Sequence, residues 1–316
     1  MYLKMINRLK RLKYGRNIRA NLHDYKLDYI FIDYLIIIFK CIIYPLEYLK
    51  RKLIYFKIFF DKESYRFIRN EDGYSIENKI SNKSKKLVNV CEQIFDEFKY
   101  SDKYKLGNDY IYNLLDKNTI QRNKYLIDFA MDDYLVKTAT MYLGILPTIG
   151  SIKLWWTPKN KLNKGSQLFH IDQVDRKQLK LLINIKLTDK DHGPFTFISK
   201  KHSQKFIKLS HKPFQSKSDT EILQKINRKN LIQHTGKPGS MVFVDSSNCY
   251  HFGGRTKKRD RLILMIQYLP FHCVKETSDT DWLITSTSMR KYFEKKIKYD
   301  YLLKLPPSPF IKLEKN

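Results

Sequence analysis

The sequence predicts a mainly β protein, a sandwich or jelly roll, preceded by helices. After residue 150 the chain breaks into many short segments that are rich in β-branched and aromatic residues and separated by Gly, Pro, Asp or Lys-rich turns. Between residues 87 and about 145, apolar residues instead recur at i, i+3 and i+4, which is typical of amphipathic helices. The 316 residues are enough for one large domain and an appended region.

Three regions follow from these patterns. Residues 1–80 are predicted to be a basic, apolar helical arm, residues 81–275 the β domain with its preceding helices, and residues 276–316 a C-terminal extension. Residues 61–86, which span the boundary between the arm and the β domain, are polar and are interpreted as a linker or surface excursion.

The arm leaves two interpretations open. Residues 1–22 carry no acidic residue, and the segment LDYIFIDYLIIIFKCIIYPLEYL that follows is strongly apolar. Asp33 and Lys40 interrupt that segment, which disfavours a spanning helix. Either residues 1–60 contact a membrane surface as amphipathic helices, or these helices pack on the main domain.

The net charge of +28 first suggests nucleic acid as a partner. Lysine accounts for most of the 60 basic residues, and Ile, Asn and Tyr are also abundant. Specific phosphate recognition relies more on arginine, so this composition disfavours a nucleic-acid function. The four cysteines lie far apart without a C-x-x-C pair, which predicts a reducing, cytoplasmic location, with peripheral membrane contact if the arm provides it.

Each predicted helix and strand has its own signal. LVNVCEQIFDEF and YLIDFAMDDYLVKTATMYLG are expected to be helices, and Gly144 is expected to end the second. The strands are expected at SIKLWWT, SQLFHID, LKLLINIKLT, GPFTFIS, LIQHTG, SMVFVD and RLILMIQYLP. One of Trp155 and Trp156 should face the barrel interior, because strand side chains alternate.

The segment SQLFHID places two metal-capable side chains two residues apart. On a strand, His170 and Asp172 would point to the same face. A third ligand must come from elsewhere, and the downstream candidates are His192, His202, His211, His234, His251 and His272. Of these, His251 stands out because it follows a strand and a short polar loop and precedes a Gly-Gly turn.

Two imidazoles and one carboxylate form the ligand set of non-haem Fe(II) oxygenases. Where 2-oxoglutarate is the cosubstrate, its distal carboxylate requires a guanidinium. Arg261, ten residues after His251, meets this requirement, and Arg259, which is expected on the same strand face, is the fallback.

Two blocks of this sequence resemble the phytanoyl-CoA dioxygenase-like branch of the Fe(II)/2-oxoglutarate-dependent oxygenases. They are SQLFHIDQVDRKQLKLLINIKLTDKDHGPFTFISKKHS and GSMVFVDSSNCYHFGGR with the arginine that follows, within a resemblance covering roughly residues 85 to 272. The resemblance implies a double-stranded β-helix braced by N-terminal helices. It also implies His170, Asp172 and His251 as iron ligands and catalytic residues, and Arg261 as the 2-oxoglutarate anchor.

The implied reaction consumes O₂ and 2-oxoglutarate, releases succinate and hydroxylates an unactivated C–H bond of a small-molecule or lipid-like substrate. The sequence departs from the branch at SKKH, where relatives read PGSH, and this is expected to change a loop near the mouth. The arginine spacing is ten rather than eleven, and Gly253 stands where a hydroxyl residue is common.

Two other classes of function remain open on the sequence alone. One is a cupin-like metalloenzyme that does not use a 2-oxoacid and therefore has no need of Arg261. The other is a non-catalytic membrane-surface or nucleic-acid binding protein on the same barrel.

Overall fold

The structure, a computed structural model, describes residues 34–35, 37–38, 41–42, 44–60, 64–100, 110–172, 175–209 and 215–270. The predicted basic helix in residues 1–22 and the extension 276–316 lie outside the described residues, as do His211 and His272.

Most of the described helices lie before residue 145, and the predicted helical region is confirmed in outline. The helices are α1 (Pro45–Phe60), α2 (Asn82–Lys99), α3 (Lys117–Arg122), α4 (Tyr125–Ala130), α5 (Asp133–Leu143), α6 (Lys200–Leu209) and α7 (Asp219–Leu223). The segment predicted as one helix over 125–144 is two helices, because Asp132 caps α5 by accepting a hydrogen bond from the Tyr134 N–H at 3.1 Å. Gly144 ends α5 with φ +76°, as predicted.

The strands are β1 (Tyr74–Glu77), β2 (Tyr112–Asn113), β3 (Thr148–Thr157), β4 (Leu179–Asn184), β5 (Phe195–Ile198), β6 (Leu231–His234), β7 (Met241–Val244), β8 (His251–Phe252) and β9 (Arg261–Leu269). All pairings between them are antiparallel. A six-stranded sheet has the order β1-β7-β4-β9-β3-β2, and a three-stranded sheet has the order β6-β5-β8. The two sheets form the predicted jelly roll.

Three local expectations are wrong. The polar segment 61–86 is not only a linker, because it contains β1, which pairs with β7 at the sheet edge. The segment SQLFHID is not a regular strand: a 3₁₀ turn at Gly165–Gln167 precedes isolated bridges at Phe169 and His170. The SKKH sequence, expected in a loop, begins α6 directly after β5.

Alternation along β4 separates two apolar layers. Leu179, Leu181 and Ile183 lie in the cluster that also contains buried residues of α2, α4 and α5. Leu182 lies on the other face, in a second cluster with Phe197 of β5. The helices therefore pack on the outer face of the large sheet, and the inner face meets the small sheet.

Helix α1 packs on the domain through one face only. Its Arg51 is fully buried and donates to the carbonyls of Leu146 and Pro147, each at 3.0 Å. Lys52 donates to the carbonyl of Gly144 at 2.7 Å. The interpretation of helices packed on the main domain thus holds for this face, which also buries Ile58.

Candidate metal centre

His170, Asp172 and His251 lie together where the segment 170–172 meets β8, the edge strand of the small sheet. A pair of backbone hydrogen bonds joins His170 and His251, each N–H donating to the other's carbonyl at 3.0 Å. One ligand atom from each of the three residues lies within 4.8 Å of the others. The structure therefore brings the three predicted ligands together, although His170 and Asp172 do not lie on a regular strand.

Both imidazoles present Nε2 to this point. The Nδ1 atom of His170 lies 2.8 Å from the carbonyl oxygen of Leu168, and that of His251 lies 2.9 Å from the carbonyl oxygen of Cys249. Because a carbonyl can only accept, each Nδ1 carries a proton, and Nε2 is the ring nitrogen left to bind a metal. Burial, together with the neighbouring His170, lowers the pKa of His251 to about 3, so its ring is neutral at physiological pH.

Asp172 provides the negative charge of the group. Its burial would raise the pKa of the carboxyl, but Lys180 and the two histidines outweigh that effect and hold the pKa below its usual range. The Lys180 Nζ donates to Asp172 Oδ2 at 2.6 Å, and the same oxygen lies 3.5 Å from His251 Nε2. Asp172 is therefore ionised and suited to bind a cation.

Lys180 is a site residue that the sequence reasoning missed. It lies on the same face of β4 as Leu182, and both line the cavity described next. The signal was present in LKLLIN, where one charged residue occupies an interior-facing position of an otherwise apolar strand.

A cavity of about 300 Å³ opens between the two sheets beside the candidate ligands. Its wall is largely apolar, and the lining residues are Ile111, Trp155, Ser166, His170, Asp172, Lys180, Leu182, Phe195, His251, Gly253, Arg261 and Ile263. Of the tryptophan pair, Trp155 faces this cavity, as the alternation argument requires of one of them. Trp156 packs outward against Phe95 and Phe98.

Arg261 also faces the cavity, although it is only 4% exposed. Its Nη1 donates to the Gly193 carbonyl at 3.0 Å, while its Nε has no hydrogen-bond partner in the described part of the chain. Burial lowers the pKa of Arg261 to about 10, so the guanidinium remains charged at neutral pH. The expectation that Arg259 shares its strand face is wrong, because β9 begins at Arg261 and Arg259 is exposed in the preceding turn.

Gly253, where a hydroxyl residue was expected from the resemblance, lies against this guanidinium. A Cβ atom at Gly253 would come within 3.2 Å of Arg261 Nη2. A side chain at position 253 would therefore require the guanidinium to shift slightly.

The remaining histidines that the structure describes lie outside the candidate centre. His192 Nδ1 lies 2.8 Å from Asp189 Oδ1, and His202 Nδ1 lies 2.9 Å from Ser199 Oγ. Burial and the nearby Arg261 lower the pKa of His234 to about 4, and that residue is not among the grouped ligands.

The residues fit a metal ion. Two imidazoles whose Nδ1 atoms contact backbone carbonyls and one carboxylate converge from one side, and the facing cavity leaves further coordination positions open. This donor set is typical of non-haem Fe(II) sites with two histidines and one carboxylate.

No protein-family description matches this sequence, and no curated protein matches it. Among solved structures, EctD from S. alaskensis with bound Fe is 15% identical, with 64% of this chain and 74% of that chain covered and a TM-score of 0.45. The epimerase SnoN, in complex with Fe³⁺, alpha ketoglutarate and nogalamycin RO, is 12% identical over 63% of this chain and 80% of that chain, with a TM-score of 0.42. The carbocyclase SnoK of nogalamycin biosynthesis is also 12% identical over 63% and 80% of the two chains, with a TM-score of 0.44. The phytanoyl-CoA dioxygenase-like branch remains a prediction from the sequence.

Proposed function

We propose that this chain is an Fe(II)/2-oxoglutarate-dependent dioxygenase that hydroxylates an unactivated C–H bond of a small-molecule or lipid-like substrate. The observation that carries the proposal is the convergence of His170, Asp172 and His251 at a cavity that also contains a buried guanidinium. With Fe(II) and 2-oxoglutarate bound, the centre would couple decarboxylation of the cosubstrate to succinate with oxidation of the substrate by O₂.

The three ligands would hold the iron from one side of the cavity. The carbonyls of Leu168 and Cys249 fix both rings in the tautomer that binds metal through Nε2. The apolar wall formed by Trp155, Leu182 and Phe195 would exclude water from the reacting groups.

Arg261 is the proposed anchor for the distal carboxylate of 2-oxoglutarate. A buried guanidinium is costly unless an anion or several acceptors satisfy it, and the Nε of Arg261 has no acceptor among the residues that the structure describes. A carboxylate accepts two parallel hydrogen bonds from such a group. Arg259, the fallback, is exposed in a turn and is less well suited.

The test compares these two arginines. We expect Arg261→Ala to weaken 2-oxoglutarate binding about ten- to a hundredfold while Fe(II) still binds, because a charge-assisted contact contributes about 1.5–3 kcal/mol. Arg259→Ala is the matched control and should change the affinity little. The measurement is anaerobic titration of the Fe(II)-loaded protein with 2-oxoglutarate, followed by visible absorption, with substrate-uncoupled succinate formation as a second readout.

Opposite results would change the assignment. A large loss at Arg259 with none at Arg261 would move the anchor. If iron binds and neither variant alters 2-oxoglutarate affinity, the 2-oxoglutarate mechanism fails and the cupin-like metalloenzyme becomes the better proposal.

For the partner of this enzyme, we propose a membrane surface in contact with α1, in addition to the small-molecule substrate. The face of α1 opposite Arg51 exposes apolar side chains at spacings of three and four residues, namely Leu46, Leu49, Leu53, Phe56 and Phe60. We call these five residues the α1 stripe. Leu35, Ile38 and Ile42, just before α1, are exposed as well.

The positive charge beside the α1 stripe favours a lipid surface as the partner that contacts it. Lys50 and Lys57 are exposed along one edge of it, and the whole chain carries a net charge of +28. Helices with an apolar face bordered by lysines bind anionic lipid interfaces. No helix among the described residues is long and apolar enough to cross a bilayer. The proposed location is therefore the cytoplasm, at a membrane surface.

Co-sedimentation with phosphatidylcholine–phosphatidylserine vesicles tests this contact. The full chain should sediment with the vesicles, and a variant with Leu49, Leu53 and Phe56 changed to Ser should not. Ser at Phe67, Leu162 and Leu187, which are exposed apolar residues elsewhere, is the matched control. Two results would contradict the lipid surface: equal sedimentation of all proteins, or a stripe variant that instead dissociates a dimer in the absence of lipid.

A further inference from the structure

Two cationic side chains, Lys180 and Arg261, reach the candidate cavity from opposite ends of two adjacent strands of the large sheet. Lys180 of β4 pairs across the ladder with Gln267, which is six residues along β9 from Arg261. At about 3.3 Å per residue, the backbones of Lys180 and Arg261 are separated by roughly 20 Å along the strands. Both side chains nevertheless line the same cavity. The candidate ligands lie beside Lys180, which bonds Asp172 directly.

The charges in this cavity do not balance. Apart from the histidines, the ionised side chains among its described lining residues are Asp172, Lys180 and Arg261, which is one negative charge against two positive charges. On the function proposed above, a divalent metal and the dianion 2-oxoglutarate would add charges that cancel. One positive charge would then remain in a largely apolar cavity, where an unpaired charge is costly.

Lys180 is the cation that loses its partner when a metal binds. Its acceptor is Asp172 Oδ2, the same carboxylate oxygen that lies 3.5 Å from His251 Nε2. A cation held between that oxygen and the histidine would compete with the ammonium group for it. The flexible stem of a lysine allows the ammonium to turn toward another acceptor, but the described cavity wall contains no second acidic side chain.

We propose that Lys180 recognises an oxyanion of the substrate, a carboxylate or a phosphate, that lies on the side of the metal away from Arg261. Its position at the opposite end of the cavity separates this role from binding the distal carboxylate of 2-oxoglutarate. The inference rests on the proposed oxygenase function and narrows its substrate to an anionic small molecule.

Anion binding to the loaded protein tests the proposal without knowledge of the substrate. The probes are acetate and methyl phosphate, with acetamide as the neutral counterpart of acetate. Each is titrated anaerobically into protein carrying Fe(II) and 2-oxoglutarate, and the visible absorption band of the loaded protein reports occupancy beside the metal. We expect at least one of the two anions, but not acetamide, to perturb the band in the wild-type protein.

The variants assign this response to one side chain. Lys180→Met should raise the half-saturating anion concentration at least tenfold, and Lys180→Arg, which keeps the charge, should retain much of the response. Lys186→Met is the matched control, because Lys186 follows β4 but lies over the Phe95 ring, outside the cavity. If Lys180→Met does not fold, Lys180→Gln, which can still donate to Asp172, replaces it.

Three results would overturn the proposal. Equal anion responses of the wild type and Lys180→Met would remove the role from Lys180. A weaker affinity for 2-oxoglutarate, with unchanged anion binding, would assign Lys180 to the cosubstrate. Absence of any anion response in wild-type protein that binds both Fe(II) and 2-oxoglutarate would reject the anionic substrate and leave the oxygenase standing. Failure to bind iron or 2-oxoglutarate at all would instead reject the proposed function, and this inference with it.

Discussion

Two carboxylates, the half-buried Asp172 and the fully buried Asp245, occupy different surroundings in the same jelly roll. Asp172 faces a cavity, and Lys180 and two histidines keep it ionised. Asp245, just after β7, accepts hydrogen bonds from Tyr142 Oη at 2.7 Å and Asn248 Nδ2 at 2.9 Å, and burial raises its pKa. Burial alone therefore does not identify a functional acid. Both hydrogen bonds to Asp245 reach Oδ2, and its Oδ1 has no partner among the described residues. The distinction lies in the surroundings, because Asp172 faces a cavity beside a lysine and two histidines, whereas Asp245 is fully buried and does not line that cavity.

Metal binding is expected to show the largest difference between the two carboxylates. Asp172→Ala should abolish stoichiometric Fe(II) binding, because it removes one of three protein ligands. His170→Ala and His251→Ala should do the same. Asp245→Asn, a matched removal of a buried carboxylate, should leave Fe(II) affinity unchanged in anaerobic calorimetry. Iron binding that survives Asp172→Ala would move the metal site elsewhere.

The free energy of unfolding should show the reverse order, with a larger loss for a substitution at Asp245 than for one at Asp172. Asp245→Ala should lower the free energy of unfolding by about 3 kcal/mol, because Tyr142 and Asn248 lose a buried acceptor. In metal-free protein, Asp172→Ala should cost only about 1 kcal/mol, since Lys180 can turn toward solvent in the cavity. Urea unfolding of both variants provides the comparison, and a larger loss at Asp172 would contradict it.

Tyr142→Phe isolates one hydrogen bond of the Asp245 cluster. The change keeps the ring, which lies under the Lys177 ammonium at 4.0 Å, and removes only the hydroxyl donor. We expect a loss of about 1.5 kcal/mol in unfolding free energy and no change in Fe(II) affinity. Reduced iron binding would mean that the two carboxylate regions are coupled.

The smallest expected effect is a pH slope. Because the pKa of Asp245 is raised in the folded state, the folded chain retains a proton that the unfolded chain loses above the ordinary Asp value of about 3.9. The unfolding free energy should therefore fall as pH rises through that window, by at most about 1.4 kcal/mol per pH unit, and level off above the folded pKa. Asp245→Asn should remove this contribution. A wild-type unfolding free energy that rises with pH relative to that of Asp245→Asn, across this window, would contradict the assignment.

Most strands of the barrel could be predicted because the pattern that favours a strand lies within a short stretch of sequence. SIKLWWT, SMVFVD and RLILMIQYL are short, largely apolar segments with β-branched or aromatic residues, and they form β3, β7 and β9. Strand β1 was missed because its residues are polar and half-buried and gain their structure from pairing with β7. The break between α4 and α5 carried a readable signal, since Asp132 is a good N-cap residue.

The candidate site was only partly readable for a different reason. His170, Asp172, His251 and Arg261 belong to residue types with restricted chemistry, so their spacing suggested a metal and an anion. Lys180 is one of many lysines in a chain of net charge +28, and only its position on the inner face of β4 distinguishes it. The packing of α1 required the tertiary contacts of Arg51 with two carbonyls, which no local pattern contains.

The alternation along β4 determines how insertions and deletions of single residues within this strand affect the protein. A substitution at Leu181 alters the helix-facing layer, and one at Lys180 alters the cavity, each leaving the other layer in place. A one-codon insertion or deletion within β4 would instead exchange the two faces, burying Lys180 against the helices and turning Leu181 toward the metal ligands. Such insertions and deletions should be excluded from this strand.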